Sequence, residues 1–238
     1  MSVVYTASIT VPTNQIPDLL WPAFKDTVTM VVIVMAIVFV AGLALGALIH
    51  NLAPGGLIEN RTLHTPLSWV VSVGRSLPFL VLMTSIIPFT RMITGTNIGI
   101  PAAVVPMSIA GTAFFTRIVE NSLRSLPDSV NAVARVSGGS NLQIIWSAQI
   151  REALPNIVGG LTINTIAMIE YSAIAGTIGA GGLGYIAVTY GYQRFDHGVM
   201  IATIITLVVF VALIQIVGDL LVRYLTPGQS VLARRAGQ

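Results

Sequence analysis

The chain has 238 residues, of which 54% are hydrophobic and only 9% charged, with a mean hydropathy of +0.84. Ordinary soluble domains carry about 25% charged residues, so this composition excludes a water-soluble globular fold and points to a chain whose solvent is mostly lipid. The formal charge of +3 comes from basic residues spread over loops, which argues against a nucleic-acid surface, and the absence of cysteine excludes disulfides, thiolate metal sites and a cysteine nucleophile.

The stretch before Phe24 has no Lys or Arg and carries Pro12, Pro17 and Pro22, unlike the basic and apolar regions of a signal peptide. It reads as an external segment, residues 1–23, ahead of a transmembrane domain over residues 24–225 and a cytosolic tail over 226–238. Five spans are expected, at Phe24–Ile49, Leu67–Phe89, Ile98–Arg117, Asn156–Ile178 and Val199–Leu221. Residues 27–49, 92–116, 171–193 and 198–218 hold no Asp, Glu, Lys or Arg, and each run approaches or exceeds the ~20 residues that cross a bilayer as a helix. The runs are continuously apolar and do not alternate with period two, so the reading is an all-α integral membrane protein and not a barrel.

On the first span Ala41, Gly42, Ala44, Gly46 and Ala47 offer a close-contact face, either for a second copy or for tight packing within the chain. The second span contains Arg75, roughly 12 Å in from Leu67 at ~1.5 Å per residue, from where it can snorkel to the inner face. An odd number of spans puts the termini on opposite sides. With the N-terminus outside, nine basic residues (Arg61, Arg75, Arg117, Arg124, Arg135, Arg151, Arg223, Arg234, Arg235) lie inside, and three (Lys25, Arg91, Arg194) outside. That distribution obeys the positive-inside rule.

Between the third and fourth spans, about residues 118–155, lies a cytosolic stretch that reads as two short helices. Pro127 and Asp128 start the first, with Val130, Val133, Ala134 and Ser137 on one face, and Gly138–Gly139 end it. Ser140 can cap the second, whose Leu142, Ile145, Trp146, Ile150 and Ala153 form an apolar stripe before Pro155. Glu170, about 22 Å beyond Pro155 at ~1.5 Å per residue, sits in an otherwise apolar span. An unpaired acid at a helix centre costs about 2.5–3.5 kcal/mol on insertion scales. Glu170 is read either as part of a translocation path with Tyr171 and Ser172, or as protonated or bonded to one of those two neighbours.

Catalytic machinery is scarce. Lys25, preceded by Pro22, Ala23 and Phe24, is the only lysine, so no Walker A loop exists. Gly179–Gly184 satisfies G-x-G-x-x-G but follows an apolar helix and not a strand, with no acidic residue ~20 positions on, so a dinucleotide site is rejected. His50, His64 and His197 share no ligand spacing, and no metal site is expected.

The segment Ala132-Val133-Ala134-Arg135-Val136-Ser137-Gly138, followed by Ile150, Leu154 and Pro155, resembles the EAA motif of ABC importer permeases. It departs from that motif at Ala132, which replaces a glutamate, and at Arg151, which replaces a proline. Arg75-Ser76-Leu77-Pro78-Phe79, Ile87-Pro88-Phe89-Thr90-Arg91 with Gly95–Gly99, and Tyr171-Ser172-Ala173 leading into Gly179–Gly184 are similar to the methionine-uptake permeases, over about Phe24 to Tyr224.

The resemblance implies a type I ABC importer fold in a bacterial inner membrane, working as a homodimer with two ATPase subunits and an external binding protein or lipoprotein. It implies that Ala132, Val133, Ala134, Arg135, Gly138, Gly139 and Leu142 form the coupling element that docks on the ATPase. ATP and Mg2+ would bind that partner, leaving this chain with no catalytic residue and no cofactor. Glycine betaine or another amino acid is the alternative substrate. A secondary transporter is a more distant alternative, for which Glu170 and Asp219 are the acidic candidates.

Overall fold

The computed structural model describes residues 10–127 and 129–226. Asp128, expected to help start a loop helix, and the tail beyond Thr226 lie outside the described residues. Four described helices are long and apolar enough to cross a membrane, or up to five if one bent pair counts as a span. No strand occurs among the described residues. Two compact units comprise Met1–Ala36, Leu77–Ile109 and Ile166–Leu213 in the first, and Ile37–Ser76, Ala110–Thr165 and Ile214–Gln238 in the second.

The first helix, α1 (Ile16–Leu52), begins eight residues before Phe24, after a 3-10 turn at Thr13–Gln15. Pro17 is tolerated in its first turn, where no backbone N–H is needed. Within the first unit α1 buries Ile16, Leu20, Ala23, Thr27, Met30 and Val34, recurring every three or four residues. The remaining faces expose Trp21, Val32 and Ile33, apolar groups suited to lipid contact.

The expected second span is not one helix. It is broken into α2 (Arg61–Ser76), α3 (Phe79–Ser85) and α4 (Ile87–Thr94). Pro78 lacks an N–H and disfavours helical geometry at Leu77, which ends α2, and Pro88 falls in the first turn of α4. The third span is α5 (Ile100–Arg124), and α6 (Ser129–Val136) follows it.

A second expectation also fails. The loop's second helix does not stop before Pro155. It begins as α7 (Asn141–Gln143), widens through a π-helical segment at Ile144–Gln149, and continues as α8 (Ile150–Ala175) with Pro155 inside. A proline removes one helical bond, and membrane helices accept this where nearby groups compensate.

In the first unit α8 ends in the glycine-rich segment, where a wide turn at Gly176–Ala180 leads through Gly181 to α9 (Gly182–Ile186). A Cβ on Gly184 would lie 2.3 Å from the Ala173 backbone, so the segment serves close backbone packing. Leu183 and Ile186 of α9 join Ile16, Leu20, Ala23 and Val199 in one core cluster. The last helix, α10 (His197–Leu225), is capped by Asp196, whose Oδ1 accepts from the Val199 N–H at 3.1 Å. The other oxygen of Asp196 accepts from the Val11 N–H at 2.6 Å, and these backbone bonds, that from Val11 first, hold its carboxyl below the ordinary carboxylate range.

In the second unit the small residues of α1 face α5 of the same chain. A Cβ on Gly46 would lie 2.5 Å from Val119, and one on Gly42 2.8 Å from Phe115. Gly42, Gly46 and Ala47 are buried here, whereas Ala44 is exposed. The intrachain alternative therefore holds for Gly42 and Gly46.

Candidate functional site

The second unit carries α6 and the turn that follows it on its surface. Gly138 adopts φ +77°, a left-handed conformation that side-chain-bearing residues rarely take. Its N–H bonds to Arg135 O at 3.0 Å, and the Gly139 N–H reaches Ala134 O at 3.1 Å, the paired bonds of a Schellman end. Ser140 and Gln143 then form a capping box. Both helix signals expected around Gly138–Gly139 and Ser140 are present.

Val133 is 66% exposed, Val136 90% and Leu142 67%. Ala132, Arg135 and Gly138 are also exposed, and Ala134 and Gly139 are half-buried. This short helix therefore leaves apolar side chains uncovered by the rest of the chain. Between α6 and the π-helical segment runs a groove lined by Pro127, Val130, Val133, Ser147, Arg151 and Glu152, among others.

The apolar stripe expected on the second loop helix is kept at Ile150 and Ala153 and corrected at Leu142 and Trp146. Leu142 and Trp146 are exposed, and the buried positions are Ile144, Gln149, Ile150 and Ala153. Gln149 follows Ile144 by five positions, a spacing that regular α geometry would rotate apart by about 140°. The π-helical widening places both in the interior.

Gln149 is 1% exposed and meets Asn51 of α1, also 1% exposed. Asn51 Nδ2 donates to Gln149 Oε1 at 2.9 Å, and Gln149 Nε2 donates back to Asn51 Oδ1 at 3.1 Å. Gln149 Nε2 also donates to Asn131 Oδ1 on α6 at 3.0 Å. No periodicity signals this cluster, because its members lie far apart in the chain.

Glu120 is a further acidic residue that the sequence reading passed over. It is 1% exposed on α5, ion-paired with Arg117 one turn earlier and with Arg124 one turn later. Arg117 also donates to Ser68 Oγ at 2.8 Å and to Ser72 Oγ at 2.6 Å, tying α5 to α2. The i, i+3 and i, i+4 charge spacing was the available signal. Arg75 lies over the Phe114 ring, 5.5 Å from its centroid, where its charge is eased by the aromatic face.

Glu170, Tyr171 and Ser172 do not form one constellation. Glu170 is exposed and has no hydrogen bond or ion pair among the described residues. Tyr171 stacks on Phe79 with ring centroids 4.3 Å apart. Ser172 is buried, with its hydroxyl donating to Ile169 O at 2.7 Å. The reading in which Glu170 bonds to either neighbour is therefore set aside. Asp219, the other acidic candidate, is exposed and accepts from Gln215 Nε2 at 2.9 Å.

Spans with apolar outer faces, one broken helix pair and an exposed helix-Gly-Gly-helix turn define an all-α integral membrane protein with a polar loop element outside the spans. The chain belongs to the binding-protein-dependent transport system inner membrane components, whose family model matches residues 42–231. It is 44% identical to the probable D-methionine transport system permease protein MetI of Vibrio cholerae, over 87% of this chain and 92% of that protein. The corresponding protein of Pasteurella multocida is 37% identical over 87% of this chain and 95% of its own length. A chain of the MetNI methionine ABC transporter, solved in inward-facing conformations, superposes with a TM-score of 0.85 at 39% identity, covering 87% of this chain and 96% of that one.

Proposed function

We propose that this chain is the membrane-spanning permease of an ATP-driven methionine importer, with ATP hydrolysed on a separate subunit that docks against α6. The observation that carries the docking role is the exposed α6 surface, with Val133 and Val136 in solvent ahead of a glycine-terminated turn. The methionine substrate is supported by the two MetI relatives and the MetNI transporter chain. Permeases of this kind work as pairs, so the assembly proposed is a homodimer with two ATPase subunits that hold ATP and Mg2+, and a binding protein outside.

The inner side is taken to be that of α6. In support, this choice leaves nine basic residues on the inner side and only Lys25, Arg91 and Arg194 on the outer, as the positive-inside rule expects. The N-terminus is then external and the C-terminus cytosolic.

Glu170 is assigned to the translocation path. An unpaired acid inside a membrane helix is retained where it meets water or a partner charge and not hydrocarbon, and no described residue of this chain supplies a partner charge. The ammonium group of an amino acid is a matching charge.

Replacing Gly138 by Glu tests the docking role, since it puts a bulky charge on the turn and forces a side chain into left-handed backbone costing about 1–2 kcal/mol. The expected result is loss of ATPase co-purification or of coupled uptake. Normal co-purification with normal uptake would remove α6 from the docking surface.

A further inference from the structure

The docking helix must be connected to the spans it is to move, and α6 packs on the π-helical segment at the head of α8. No ion pair holds it among the described residues, and Ala132, Val133, Arg135 and Val136 all face outward. What reaches it from the interior is Gln149, which bonds to Asn131 of α6 through the same amide that pairs with Asn51 of α1.

The Asn51–Gln149 pair within this cluster is closed. Asn51 Nδ2 donates to Gln149 Oε1 and to Ala47 O at 2.9 Å, so both its N–H groups are used. Gln149 Nε2 likewise spends both of its N–H groups, on Asn51 and on Asn131. A buried amide ring with every donor satisfied is stiff, because any rotation of one member strands a polar group away from water. It is also neutral, so it needs no counter-charge beside the membrane. The π-helical segment that turns Gln149 inward is a costly local geometry that proteins tend to retain at functional positions. A second tie runs alongside, from Asn141 Nδ2 to Leu57 O at 3.2 Å in the connection after α1.

We infer that Asn51, Gln149 and Asn131 form the linkage that passes displacement of α6 to the end of α1 and the start of α8. This inference rests on the docking role proposed for α6. Gln149 acts as a positioning residue: it touches neither substrate nor nucleotide, and it fixes how α6 and α1 move together.

The test uses the whole importer, permease with ATPase and binding protein, in proteoliposomes, reading methionine carried per ATP hydrolysed. Gln149→Leu cuts both arms of the cluster, and Asn131→Ala cuts only the arm to α6 while leaving the buried Asn51–Gln149 pair intact. Both are expected to keep ATPase binding at wild-type stoichiometry and to lower transport per ATP at least about fivefold, the factor of one lost buried hydrogen bond. Gln149→Asn shortens both arms and is expected to be impaired; Asn51→Gln restores the reach to α1 but not the arm to Asn131, so thermal stability should recover while transport per ATP stays low. A role in packing alone would lower thermal stability and leave transport per ATP unchanged.

Wild-type coupling in Asn131→Ala overturns the linkage, including where Gln149→Leu fails to assemble. A wild-type complex that binds no ATPase would instead overturn the docking role beneath it.

Discussion

Glu120, buried on α5, is gripped by Arg117 one turn before it, and the same guanidinium reaches Ser68 and Ser72 of α2. A charge at 1% exposure survives only if paired, so the two helices are held by a network that no hydropathy profile registers. Removing one partner of a buried pair typically costs 3–5 kcal/mol, and Arg124 remains to compensate part of it. Arg117→Ala is therefore expected to destabilise the detergent-solubilised protein by about 2–4 kcal/mol. A cycle with Glu120→Ala should show a coupling of at least about 1 kcal/mol in denaturant unfolding; additive effects would mean the pair contributes nothing beyond its separate contacts.

Asp196 introduces a pH dependence of known sign. Its folded-state carboxyl titrates below the ordinary value, chiefly because the Val11 N–H and then the Val199 N–H bond to it. The stabilisation is thus present above the unfolded-state carboxylate pKa and is lost as pH falls through the lower folded-state value. Asp196→Ala should cost about 1 kcal/mol at neutral pH through loss of the α10 cap. Comparing melting temperatures of the two proteins across acid pH should show the gap closing as pH falls, and a gap independent of pH would refute the assignment.

Glu170→Gln keeps the size of the side chain and removes its charge. If the carboxylate meets the substrate ammonium, the variant should assemble normally and show uptake weakened about tenfold, mainly in KM, as for loss of a hydrogen bond to a charged group. Uptake kinetics matching the wild type would place Glu170 outside the path.

Orientation can be read by chemistry, since the chain has no native cysteine. A cysteine at Ser137, exposed after α6, should react with an impermeant maleimide only from the cytosolic side. One at Gln193, exposed before α10, should react only from outside. The reverse pattern would invert the topology.

How far these features could be read in advance depended on the range of the forces that set them. The long spans α1, α5 and α10 are written in uninterrupted apolar runs, because lipid demands little else. The end of α6 was legible because Gly138 and Gly139 satisfy a local rule of backbone geometry, and Ser140 with Gln143 satisfies another. Prolines misled in two opposite directions. Pro78 breaks a run that a hydropathy window averages into a single span, whereas α8 runs through Pro155, a residue type that ends most helices. Asn51 and Gln149 meet across 98 positions, and no local pattern announces a pair of neutral amides. Glu120 is a different case, since its helical spacing to Arg117 and Arg124 was open to view.

The central claim, that this chain carries methionine on ATP hydrolysed elsewhere, is tested most directly by reconstitution with its ATPase and binding protein in liposomes. Labelled methionine and labelled glycine betaine are then offered with and without ATP. The account predicts methionine accumulation that requires ATP and both partners, with little or no betaine uptake. Methionine entry independent of ATP, or ATP-driven uptake of betaine in preference to methionine, would contradict it.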